Sequence, residues 1–76
     1  MAEEQEISYG LILRKVRVKQ GFKLGYVAKK LDTTPEVVSL IERGHRRLSV
    51  ETFITLLDLY KLSLSEFKEE LGEEAG

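Results

Sequence analysis

Residues Leu24 to Arg43 (LGYVAKKLDTTPEVVSLIER) constrain this chain more than any other stretch. Val27, Ala28 and Leu31 fall at i, i+1 and i+4, one face of a helix that closes after two turns. Asp32-Thr33-Thr34 breaks the pattern, and Pro35 restarts it with Val38 and Ile41 three residues apart. Two short amphipathic helices joined by so brief a break must cross steeply to share one core. A small residue is needed where they come closest, and Ala28 sits one turn into the first of them. The outer face of the second helix is then left projecting.

The flanking periodicities add three more helices. Helix 1 is expected from about Ser8 to Gln20, with Tyr9, Ile12, Leu13 and Val16 as its apolar stripe and Gly21 as its left-handed stop. Helix 2 spans about 24–31. Helix 3 spans about 35–43, with Thr34 as N-cap, Pro35 at the first helical position and Gly44 as its stop. Ser49 can cap helix 4, about 50–60, where Phe53, Leu56, Leu57 and Tyr60 recur at helical spacing. Ser63-Leu64-Ser65-Glu66 reads as a capping box opening helix 5, with Leu64, Phe67 and Leu71 on its buried face. No stretch alternates with period two for long enough to argue a strand. The fold class is all-α, a compact five-helix bundle with a helix-turn-helix formed by helices 2 and 3. Its expected core is Ile12, Leu13, Val16, Phe22, Val27, Ala28, Leu31, Val38, Ile41, Phe53, Leu56, Leu57, Leu64 and Phe67.

A chain of 76 residues makes one small domain, burying only about 60–65% of its unfolded surface. Residues 8–71 are expected to form it, with a disordered acidic tail at 1–7 and a second acidic tail at 72–76. There is no cysteine, so no disulfide or thiolate metal site can add stability. One histidine, no phosphate-binding G-x-x-x-x-G-K loop and no spaced His/acid set leave no recognisable catalytic or metal site. The expectation is a non-enzymatic protein without cofactor or small-molecule substrate. No apolar run nears the ~20 residues of a membrane span, and a cytoplasmic location is expected.

The net charge of −1 hides a segregation. Residues 7–65 hold eleven lysines and arginines against five acids, a balance of +6. Residues 1–6 carry −3 and residues 66–76 carry −4. A cationic body with acidic ends fits a nucleic-acid surface better than the overall pI does. A short projecting helix beside cations is also the shape that enters a DNA major groove.

From about Tyr9 to Phe67 the chain resembles the lambda-repressor-like helix-turn-helix family, of Cro/phage-repressor or Xre type. The residues that carry the likeness are Arg14 and Arg17 on helix 1, Gly21-Phe22, Val27 to Leu31, and Val38-Ser39-Leu40-Ile41-Glu42-Arg43-Gly44. Arg46 to Phe53 and Leu62-Ser63-Leu64-Ser65-Glu66-Phe67 complete it. In length it is most similar to small single-domain regulators. The resemblance implies five helices, operator double-stranded DNA as partner, a symmetric homodimer, and a pairing of Arg17 with Glu42. It implies a transcriptional regulator, a repressor more than an activator.

On that alignment the base-facing positions are Thr34, Pro35, Glu36, Ser39, Leu40 and Arg43. Glu36 can accept from cytosine N4, Ser39 can meet several edges, Leu40 can touch a thymine methyl, and Arg43 can take a guanine or a phosphate. Phosphate contact is expected from Lys23, Leu24, Gly44, His45, Arg46 and Arg47, the two arginines first. Where the family often has a Ser/Thr cap and a Gln, this chain has Lys23 and Leu24. Lys23 cannot cap, and Leu24 offers only its backbone N–H. Apolar Leu59, Leu62, Leu64, Phe67 and Leu71 are candidates for a homodimer interface, or else they close the monomer's own core. Glu36, Leu40 and the acidic ends keep a second reading open: a protein-interaction module on the same scaffold.

Overall fold

Left-handed residues at four helix ends set the element boundaries. The computed structural model describes the backbone of residues 2–75 and the side chains of residues 9–72. It contains α1 (Ala2–Gln20), α2 (Leu24–Lys30), α3 (Pro35–Glu42), α4 (Val50–Tyr60) and α5 (Leu64–Ala75). At Gly21 (φ 80°), the Gly21 N–H donates to Val18 O and the Phe22 N–H to Arg17 O. This two-bond closure satisfies carbonyls that a helix end leaves orphaned. Gly44 (φ 77°) closes α3 the same way, with bonds from Gly44 N–H to Ile41 O and from His45 N–H to Leu40 O. α2 and α4 use the same turn with Asp32 (φ 58°) and Lys61 (φ 54°), residues whose Cβ makes that backbone costly.

The helix starts are held by side chains. Thr34 Oγ1 accepts from the Val37 N–H, and Ser49 Oγ accepts from the Thr52 N–H. At α5 the capping box is reciprocal: Glu66 N–H donates to Ser63 Oγ at 3.0 Å, and Ser63 N–H donates to Glu66 Oε1 at 2.9 Å. α1 begins at Ala2 rather than near Ser8, and α5 runs to Ala75, so the segments expected as tails continue the terminal helices. Ala2-Glu3-Glu4-Gln5-Glu6 is a run of good helix formers.

α1 is the hub of the bundle, packing on α3, α4 and α5, while α2 packs on α3. The buried core is Ile12, Leu13 and Val16 from α1, Val27 and Ala28 from α2, Val38 and Ile41 from α3, Leu56 and Tyr60 from α4, and Phe67 from α5. Phe22, Leu31, Phe53 and Leu57 are half-buried against it. Leu64, expected inside, is 54% exposed. It is the first residue of α5, and only a turn later does Phe67 reach the core, meeting Tyr9 and Phe53 edge-on at 5.3 and 4.9 Å.

One close approach was not anticipated. A Cβ on Gly10 would lie 2.4 Å from Ile41 O and 2.7 Å from Glu42 O. The backbone of α1 therefore rests on the last carbonyls of α3. Ala28 is buried as expected, and Gly10 is a further place where only a small residue fits. No described helix is long and apolar enough to cross a membrane.

Candidate nucleic-acid interface

The α3 helix divides cleanly into two faces. Val38, Ile41 and Glu42 point inward, whereas Thr34, Pro35 and Glu36 are exposed and Ser39 and Leu40 half-exposed. Arg43, its C-cap residue, is exposed, and its Nε donates to Ser39 O at 3.4 Å. The six residues expected to face bases thus lie along an accessible side, with Thr34 Oγ1 committed to its cap.

What holds that face outward is an ion pair beneath it. Arg17 Nε donates to Glu42 Oε2 at 2.7 Å, Arg17 Nη2 donates to Glu42 Oε1 at 3.2 Å, and Nη1 donates to Phe22 O at 2.9 Å. The two side chains are 11% and 5% exposed. The forked geometry matches guanidinium to carboxylate and gives direction as well as attraction. One side chain of α1 therefore ties the entry to α2 to the exit of α3.

Past α3, the Gly44 turn reverses the chain and leaves His45, Arg46 and Arg47 exposed. Arg46 and Arg47 line a cavity of about 250 Å³ with Val37 and Ile41 of α3 and with Ser49 and Thr52 of the α4 start. Among the described residues, no carboxylate engages Arg43, Arg46 or Arg47. Lys23 is exposed and stands at the α2 N-cap with no side-chain capping bond, while Leu24 is half-buried against the core. Lys23 and Leu24 adjoin the α1–α2 turn, so the expected phosphate residues come from two turns of the chain rather than one loop.

Sequence reasoning left Arg14 out of this set. A cleft of about 190 Å³ is lined by Arg14 together with Leu24, Ser39, Arg43 and the Arg17–Glu42 pair. Arg14 lies three residues before Arg17, on the same face of α1, and that spacing was the available signal.

The expected dimer residues fare differently. Phe67 is 1% exposed and belongs to the core, so it cannot meet a partner; the stripe that suggested it is the monomer's own packing face. Leu59, Leu62 and Leu71 are half-buried against the same core. Leu64 does stand free, and Val50 (73% exposed) and Ile54 (55%), one turn apart on α4, are apolar exposures that sequence reading missed. Among the described residues no group of acids and histidines could hold a metal ion.

A helix-turn-helix family model matches residues 13–67, more than half of the chain and all of this architecture from mid-α1 to Phe67. The protein belongs to the lambda-repressor-like helix-turn-helix family, the Cro/phage-repressor and Xre type, a family of DNA-binding transcriptional regulators. No curated protein and no solved structure matches it.

Proposed function

We propose that this protein is a sequence-specific double-stranded DNA-binding repressor that works in the cytoplasm as a homodimer on an operator, without cofactor or enzymatic activity. The observation that carries the reading is a cationic corner, Arg43, Arg46 and Arg47, which no carboxylate among the described residues engages, at the end of a helix whose opposite face is pinned to the core. In this reading α3 enters the major groove. Thr34, Pro35, Glu36, Ser39, Leu40 and Arg43 face the bases. Lys23, the Leu24 N–H, the Gly44 turn, His45, Arg46 and Arg47 meet phosphates, with Arg14 added from α1. Residues 8–71 form the binding unit, and the acidic ends stand outside it. Leu64, with Val50 and Ile54, supplies the apolar contact between protomers.

Binding to random and genomic duplex fragments is measured across a salt series, for the wild type and for Arg46→Ala/Arg47→Ala. Each phosphate contact adds about 0.9 to the slope of log affinity on log salt. The double variant is expected to lose about 2 from that slope, with binding weakened across all sequences. Affinity that is absent at low salt, or untouched by the double substitution, would overturn the reading in favour of a protein-docking surface. Sedimentation of the wild type and Leu64→Glu tests the homodimer: a wild-type monomer well above micromolar concentration removes it.

A further inference from the structure

We infer that Glu36 reads a cytosine, so that each half-site is fixed by a C·G pair rather than by the adenine contacts that Asn and Gln make. This rests on the DNA-binding reading above and adds the chemistry of its target. The N-terminal part of an inserted recognition helix is what reaches base edges. In the first turn of α3, Thr34 Oγ1 accepts from the Val37 N–H and keeps its own O–H as a donor, and Pro35 carries neither an N–H nor a polar side chain. Glu36 is exposed, and among the described residues nothing pairs with it. Further along, Ser39 and Leu40 are half-buried. Arg43 follows the last helical residue, and its Nε is drawn back onto Ser39 O, toward the phosphate-facing corner. The foremost charged group of the rod is therefore a carboxylate.

An ionised carboxylate accepts hydrogen bonds and donates none. The major groove offers it two amine donors, cytosine N4 and adenine N6, while guanine O6 and N7 and thymine O4 oppose it. Adenine's amine sits beside that base's own N7 acceptor, which repels the second carboxylate oxygen. Cytosine's amine has a carbon-bound hydrogen on that side. The charge itself is tolerated at this position, because the α3 N-terminus favours an anion.

The test is selection from a randomised duplex library by the wild type, Glu36→Gln and Glu36→Ala. Substitution at this exposed position leaves the core intact. The wild type is expected to enrich cytosine at one position per half-site. Glu36→Gln, with a donor beside its acceptor, should move that position to adenine, and Glu36→Ala should relax its discrimination by about tenfold or more. Enriched duplexes lacking that cytosine, or a cytosine preference unchanged in both variants, overturn the assignment while leaving DNA binding intact. Failure to enrich any duplex at any salt concentration overturns both.

Discussion

Replacing Gly10 with alanine tests whether α1 and α3 touch backbone to backbone. Two effects compete. Alanine in a helix interior is favoured over glycine by roughly 0.5–1 kcal/mol. Against this, the new Cβ would lie 2.4 Å from Ile41 O and 2.7 Å from Glu42 O, where ordinary contact begins at 3.4 Å. The helices must part by nearly an ångström, and the atoms in the way are backbone, which cannot rotate aside. Overpacking of this kind costs about 1–3 kcal/mol, occasionally more, and the same displacement strains the Arg17–Glu42 pair. The steric clash outweighs the gain in helix propensity. The net loss is about 1 kcal/mol, or a fall in Tm of roughly 5–10 °C for a domain this small. Gly25→Ala and Gly72→Ala are the controls, since a Cβ at either meets nothing within 4 Å; each should hold stability level or raise it. Urea denaturation of the three variants decides the matter. Gly10→Ala matching its controls would refute the close approach.

Arg17→Ala leaves Glu42 buried without its partner, and the expected loss is about 3–5 kcal/mol in urea denaturation; a loss below about 1 kcal/mol would contradict the buried strut. The Tyr60 hydroxyl is buried with no hydrogen-bond partner among the described residues, so Tyr60→Phe should raise stability by about 1 kcal/mol. Burial, with the Glu42 charge second, pushes that hydroxyl well above the tyrosine range. Its contribution is therefore complete below about pH 10 and declines as pH rises further, and the phenylalanine variant should lack that decline. The Ser63 backbone N–H, helped by the Ser63 side chain, holds the Glu66 carboxyl below its ordinary range. Its contribution is present above that range and lost as pH falls through the Glu66 pKa; Glu66→Gln should flatten this acid limb in far-UV circular dichroism, and an unchanged limb would argue against the cap.

The helix-turn-helix was legible because its signals are local. Thr34-Pro35 starts α3, Gly21 and Gly44 stop their helices, and the Val27/Ala28/Leu31 and Val38/Ile41 spacings fix the inner faces. The errors came where one dimension cannot separate two kinds of apolar surface. Phe67 and Leu64 share a stripe on α5, yet one fills the core and the other, at the first helical position, lies beyond what α4 and α1 cover. Periodicity marks a face and does not say which molecule buries it. Gly10 carries no local signal of its role, since the carbonyls it accommodates belong to Ile41 and Glu42 far along the chain. Arg14 needed the fold as well, because only there does it share a cleft with Leu24 and Arg43.

The arrangement of arginines has a consequence for ionic strength. Arg46 and Arg47 face solvent, where dissolved ions compete with any polyanion they hold and weaken that grip as their concentration climbs. Arg17 and Glu42 lie beneath the surface, out of reach of such competition. A salt gradient should therefore strip the molecule from a polyanion while its shape stays whole, so the released protein is ready to bind again without refolding.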